Sequence, residues 1–362
     1  MKMASGAASQ RRSASNFTQL SDKIMGSLAT AVIGDALGAP TEQRSIREIR
    51  DLFGGRVEDF YAPPADSPFS KGRLAAQITD DSSQMIMLAQ AFIDGKGVIT
   101  PRAVADMVLA WSENSDYYPH FAGPSTRRAI EALRNGADPE TIGAVGRETT
   151  MGTSNGGAMR VAPAGLIHPG DPAGAVRDAA ISCQPSHFTS VGVSGAGAIA
   201  AAVAAALRDD ATILDVVRGA REGARLGCLI GDELGRDSAG ASVLARINIA
   251  VSIAMTSETL DEAVAAIADS VGSGIHAAEA IPAAIGCFVA AGGDPWLSVV
   301  AGANIGDDTD TVACMAGSIA GAYAGFKKVP QDKFEQVLRA NNLDLSAVAD
   351  GLFSLALTTL DP

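Results

Sequence analysis

Apolar positions recur along most of this chain at the three-to-four-residue spacing of a helix that buries one face. Ile24, Leu28, Ala31 and Val32 form one such stripe, and Asp35 continues it before the pattern stops near Gly38-Ala39-Pro40. An acid on a core-facing stripe calls for a partner. Met85, Leu88, Ala89 and Phe92 mark another helix at i, i+3, i+4 and i+7, with Thr79 or Asp80 as its N-cap. Similar patterns end around Trp111, cover about 126–133, and return over about 211–227, 240–256, 260–271 and 276–291 before a C-terminal pair. Val191 to Leu207 is mostly Ala and Gly, rather short for a bilayer span, and reads as a buried helix. Residues 54–78 break the periodicity with Gly and with Pro63, Pro64 and Pro68, the composition of a binding loop or lid. No stretch alternates convincingly as a strand, and no fixed-period repeat stands out. The pattern predicts an all-α, single-domain protein over residues 17–362, behind a disordered tail over residues 1–16.

The chain has 362 residues, and a hydrophobic content of 47% is ample for a large core. Aromatics make up 5% while glycine is abundant at 39 residues, which predicts close helix-on-helix contact in place of aromatic layers. A formal net charge of −13 argues against nucleic acid as the main partner, because duplex binding needs clustered Lys and Arg. The same charge suits a protein that recruits cations. Cys183, Cys228, Cys287 and Cys314 lack zinc-site spacing and lie among small or apolar residues, which predicts buried free thiols and a reducing, cytoplasmic setting. Residues 1–16 contain Arg11 and Arg12 but no apolar core, so they do not read as a secretory signal, and no membrane partner is expected.

Two acidic stretches change the picture. Asp307-Asp308-Thr309-Asp310-Thr311 opens the small-residue run from Val312 to Gly325, and Thr79-Asp80-Asp81-Ser82 stands in the same position before its own apolar helix. Crowded carboxylates are costly to bury unless a cation sits among them, while a helix N-terminus favours negative charge. With few His and no paired Cys, these oxygen donors favour Mg²⁺ or Mn²⁺ over Zn²⁺. Spacing alone equally allows both stretches to be simple N-caps with solvated acids, and Glu42 to be a solvated loop acid.

Other motifs are weaker. Gly195-Ala196-Gly197-Ala198-Ile199-Ala200 fits a dinucleotide fingerprint, but the residues before it are polar and make no strand. Asp308-Thr309-Asp310-Thr311-Val312 fits a phosphatase nucleophile loop, yet Ala301 to Asn304 is a poor strand. Ser154-Asn155-Gly156-Gly157-Ala158-Met159-Arg160 is a Gly-rich turn that either brings backbone N–H groups to an anion or is only a bend. Tyr117, Tyr118, His120 and Phe121 lie on a loop, where aromatics stack a base or simply pack.

Taken in order, four motifs resemble the ADP-ribosylglycohydrolase family, over about residues 26–325. They are Gly34-Asp35-Ala36-Leu37-Gly38-Ala39-Pro40-Thr41-Glu42, Thr79-Asp80-Asp81-Ser82, the Ser154 to Arg160 turn, and Asp308-Thr309-Asp310-Thr311. Each is modest alone; four in the right order are specific. The resemblance implies an orthogonal multi-helix bundle with a dinuclear Mg²⁺ or Mn²⁺ centre held by Thr79, Asp80, Asp81, Asp308, Asp310 and Thr311. It implies that Glu42 is a mobile loop acid, that Asn155, Gly156 and Gly157 belong to the substrate cradle, and that His187 lines the cleft. The implied reaction is hydrolysis of the glycosidic bond at the anomeric carbon of an ADP-ribosyl group, on a protein or a small ribosyl metabolite. Asp81 or Asp308 would take the proton of the attacking water, and Glu42 would protonate the leaving group.

This chain departs from the family at Asp307, where the family usually has Gly, and at Ser82, where Thr is commoner. A charge at position 307 is expected to enter beside the metals, narrowing the pocket or repelling a diphosphate. It favours the alternative of an N-ribosidase acting on a plain nucleoside. A non-catalytic role like that of the lens crystallins that resemble this fold is disfavoured by the retained acids.

Overall fold

The structure is a computed structural model that describes the backbone of residues 3–360 and the side chains of residues 18–360. The tail expected over residues 1–16 therefore lies outside the fully described residues. Among the described residues the chain forms seventeen α-helices and no strand, with isolated bridges at Ser154–His276 and Thr189–Arg236. The first half contributes α1 (Met3–Gly38), α2 (Ile46–Phe53), α3 (Asp80–Asp94), α4 (Pro101–Trp111), α5 (Tyr118–Phe121), α6 (Pro124–Arg134), α7 (Ala162–Leu166) and α8 (Pro172–Cys183). The second half contributes α9 (Ser190–Ala206), α10 (Ile213–Glu233), α11 (Val243–Thr256), α12 (Leu260–Ser270), α13 (Ala277–Ala290), α14 (Pro295–Ala303), α15 (Thr309–Ala324), α16 (Gln331–Asn341) and α17 (Ser346–Leu360).

Local chemistry sets many of these boundaries. Ser45 with Glu48 and Thr212 with Asp215 close capping boxes at α2 and α10. Thr100, Asp171 and Asp294 cap α4, α8 and α14, each followed by a proline in the first turn. The irregular segment expected between residues 54 and 78 separates α2 from α3. Every residue of α9 is buried, as its unbroken small and apolar composition predicts. The segment before Asp308 is α14, and the Gly195 to Ala200 run lies inside α9, so neither look-alike motif follows a strand.

Glycine brings the central helices almost into backbone contact. A Cβ built on Gly26, Gly34 or Gly38 of α1 would stand 2.5, 2.3 and 2.4 Å from Gly321 O, Ala313 O and Asp310 Cα of α15. Rising numbers on α1 meet falling numbers on α15, so the two helices run antiparallel, and the end of α1 meets the start of α15. The same device presses α9 onto α10, where a Cβ on Gly223 would lie 2.1 Å from Gly197 O. Burial of the thiols follows from such packing at Cys183, Cys287 and Cys314. Cys228 corrects the expectation, because it is exposed. The face of α10 turned to α9 carries Gly219, Ala220, Gly223, Ala224 and Gly227, and position 228 falls one step outside it. No single helix among the described residues is long and apolar enough to cross a membrane; α16 and α17 meet that test only as a pair bent by 112°.

Candidate active site

Three helix ends meet where α1 stops. Asp35, fully buried on α1, accepts hydrogen bonds from Thr79 N at 2.9 Å, Thr79 Oγ1 at 2.8 Å and Ser82 N at 3.0 Å. That is the partner its core-facing position demanded, and it anchors the first turn of α3. Thr79 occupies the N-cap position of α3, yet its hydroxyl makes no cap bond. It points instead at Asp35 and, at 3.2 Å, at Asp81 Oδ2. Asp308 stands at the N-cap of α15, also without a side-chain cap bond, and accepts from Asn155 Nδ2 at 2.5 Å.

The chain leaving α1 is clamped over this junction. Thr41 Oγ1 donates to Ala303 O at 2.7 Å, Gln43 N to Asp307 O at 2.7 Å, and Asp307 N to Arg44 O at 2.9 Å. Glu42, between these ties, turns its carboxylate inward. Oxygens of Glu42, Asp308 and Asp310 all lie within 4.8 Å of one another.

Electrostatics make this junction costly. Burial pushes the carboxyls of Glu42, Asp80, Asp81 and Asp310 well above the usual range, and the neighbouring acids push them further. Asp35 and Asp308 are raised for the same first reason, with hydrogen bonds from Ser82 and Thr79 or from Asn155 pulling back. Glu42 Oε2 and Asp81 Oδ1 are buried with no hydrogen-bond partner. Buried, mutually repelling, partly unpartnered carboxylate oxygens are the donor set of a hard divalent cation. The residues present therefore fit one.

The acids form one wall of a cavity of about 560 Å³, the size range of a small-molecule site. Phe69, His120, Phe121, Met159 and Ile275 supply apolar surface, and Gln43, Arg127, Ser154, Asn155 and Gly156 supply polar groups. Among the predicted residues, Glu42, Asp80, Asp81, Asn155, Gly156, Asp308, Asp310 and Thr311 face this space, while Thr79 is fully buried behind it with its hydroxyl on Asp35 and Asp81. The loop aromatics divide: His120 and Phe121 reach the cavity, while Tyr118 packs edge-on against Trp111 at 6.0 Å.

Three residues are placed otherwise than expected. His187 is fully buried behind the Gly-rich turn and not on the cleft wall. A Cβ on Gly156 would lie 2.9 Å from its ring, so the glycine lets the imidazole back directly onto the turn. Gly157 faces Cys183, whose Sγ would be 2.8 Å from a Cβ there. Asp307 does not enter beside the acids, since its carboxylate lies across from Gln43 Nε2 at 3.4 Å and beside Gly274 and Glu279. It does not line the cavity, although its charge still helps to raise the Asp308 carboxyl. Sequence reasoning missed Phe69, Ile275 and Ser154 as cavity residues. The first two come from loops without periodicity, and only the Gly-rich turn beside Ser154 hinted at the third.

Comparison with known proteins places this architecture. A family model described as ADP-ribosylglycohydrolase matches residues 16–360. An uncharacterized protein, YegU, of Escherichia coli K12 is 29% identical over 339 residues, covering 91% of this chain and 96% of that protein. ADP-ribosylhydrolase ARH3 of Bos taurus is 29% identical over 337 residues, covering 85% and 87%. A solved structure described as an ADP-ribosylglycohydrolase-related protein complex shares the fold, with a TM-score of 0.65 and 22% identity over 94% of this chain and 99% of the other.

Proposed function

Because the chain belongs to the ADP-ribosylglycohydrolase family, we propose that it hydrolyses the glycosidic bond at the anomeric carbon of an ADP-ribosyl group. The observation that carries this reading is the convergence of Glu42, Asp308 and Asp310 on one wall of the cavity. Thr79, Asp80, Asp81, Asp308, Asp310 and Thr311 would hold two Mg²⁺ or Mn²⁺ ions. When bound, such ions supply a template for ribose hydroxyls and a water of lowered pKa.

The side chains divide the remaining tasks. Glu42 is held near the acids by the Thr41 and Gln43 ties, where it would protonate the leaving atom. Asp308, oriented by Asn155, and Asp81, with one oxygen unpartnered, are placed to accept the proton of water. Phe69, Phe121 and Ile275 add apolar surface to the same cavity. The alternative of a plain N-ribosidase keeps only modest support from Asp307, whose charge is felt at Asp308 although its side chain does not line the cavity. A purely structural role leaves unexplained why several carboxylates are buried beside one another at such cost.

A hydrolysis panel tests the reading, using ADP-ribosyl-arginine, ADP-ribosyl-serine, O-acetyl-ADP-ribose and plain nucleosides with Mg²⁺ or Mn²⁺, then EDTA. Cleavage of an ADP-ribosyl compound that EDTA abolishes is the expected result. Turnover of nucleosides alone would replace the proposal with the N-ribosidase, and inactivity throughout would favour the structural role.

A further inference from the structure

A chain of hydrogen bonds runs from the core to the cavity wall. Fully buried Arg160 donates from one terminal nitrogen to Gln84 Oε1 at 2.8 Å and from the other to Ser186 Oγ at 2.9 Å. Ser186 Oγ lies 2.8 Å from His187 Nδ1, and His187 Nε2 lies 2.9 Å from Ser154 Oγ. Ser154 lines the cavity.

The direction of this chain follows from where the Ser186 proton can go. A guanidinium can only donate, so Ser186 Oγ accepts from Arg160 and has a single proton to give. Its second lone pair could take an Nδ1–H as well, but the buried Ser186 proton would then go unpaired, since His187 Nδ1 is the acceptor hydrogen-bonded to that hydroxyl. Nδ1 is then unprotonated. The nearby guanidinium and complete burial keep the ring neutral, its pKa pushed down to about 3 by burial first and Arg160 second. A neutral ring with a bare Nδ1 carries its proton on Nε2 and donates it to Ser154. Ser154 has accepted, and its own proton is left for the cavity.

We propose that Ser154 is a substrate-binding hydrogen-bond donor, aimed at an acceptor oxygen of the ligand, and that Arg160, Ser186 and His187 are positioning residues that set its direction. The site thereby selects an oxygen bearing lone pairs, as in a phosphoryl group or a sugar ring, against a donating group at that spot. The claim rests on the proposed ADP-ribosyl substrate only for the identity of the ligand.

Two measurements test it. Nitrogen-15 shifts of His187 in the whole protein should report the neutral Nε2–H tautomer from about pH 5 to about pH 8; an Nδ1–H tautomer or a charged ring overturns the relay whatever the ligand. Calorimetry with ADP-ribose in magnesium buffer should show Ser154→Ala and His187→Leu each binding about tenfold more weakly. The double variant should be no weaker than either single one, and His187→Gln, which can accept and donate in the same order, should recover part of the loss. Wild-type affinity in Ser154→Ala, or additive losses in the double variant, overturns the proposal while leaving the enzymatic reading intact. Absence of ADP-ribose binding by the wild type overturns the binding role given to Ser154, whereas the enzymatic reading stands or falls on the hydrolysis panel.

Discussion

Glu42 gains its chemistry from where its loop is tied, since a solvated glutamate at that point in the sequence would titrate in the ordinary range. Held inward with Oε2 unpartnered and acids around it, it resists losing its proton. Glu42→Gln keeps the shape and removes the titration. Turnover of the cleavable substrate should fall by about 10²–10⁴-fold, the usual worth of a positioned acid or base, with little change in binding. A rate within a few-fold of wild type would remove Glu42 from the mechanism. Asp307 supplies the opposite case. Its φ of +60° costs a non-glycine residue about 1 kcal/mol, and its carboxylate lies outside the cavity. Asp307→Gly should leave KM within about twofold and raise stability by a few tenths to about 1 kcal/mol in urea titrations; a large change in KM would show that position 307 contributes to ligand binding.

At the scale of elements, the site depends on how closely α1 approaches α15. Gly34 sits where a methyl group would collide with Ala313 O, next to Asp35 in the chain and about one turn along α15 from Asp310. Gly34→Ala should cost about 1–3 kcal/mol in chemical denaturation, because two backbones must separate. Activity should fall with it, since the acids on α15 move relative to Asp35. The bond between Asp35 and the start of α3 admits a second test. Asp35→Asn puts an NH₂ group against donors from Thr79 and Ser82, leaving a buried donor unpaired at about 1–3 kcal/mol. Loss of metal affinity together with that destabilisation is expected, as Asp80 and Asp81 ride on the same turn. An Asn variant as stable as wild type would mean that the turn holds itself.

For the whole molecule, burying many acids in one place links folding to protons and to cations. Glu42, Asp80, Asp81 and Asp310 have folded-state pKa values above those of the unfolded chain, so the native state holds more protons over that interval. Their contribution is therefore present at low pH and lost as pH rises through the raised values. In EDTA, Tm should rise as pH is lowered from about 8 to about 6, before the remaining carboxylates protonate. A divalent cation offers the same relief without protons. Mg²⁺ or Mn²⁺ at about 100 times its Kd should raise stability by about 2.7 kcal/mol and flatten that pH dependence. A Tm indifferent to both pH and metal would argue that the acids are not electrostatically crowded in solution.

The sequence by itself determined the helical class, most helix positions and the two acidic helix starts, because these follow from local periodicity and from the chemistry of short motifs. It also flagged that Asp35 needed a partner, without saying which. Only the tertiary structure decided that this partner is the α3 turn, that Asp307 does not line the cavity, that Cys228 is exposed, and that His187 is buried against Ser154 and not on the cleft wall. Phe69 and Ile275 joined the cavity for the same reason: which face of a loop or turn meets a distant segment depends on how helices pack, and that packing is set here by glycines whose partners lie hundreds of residues away along the chain.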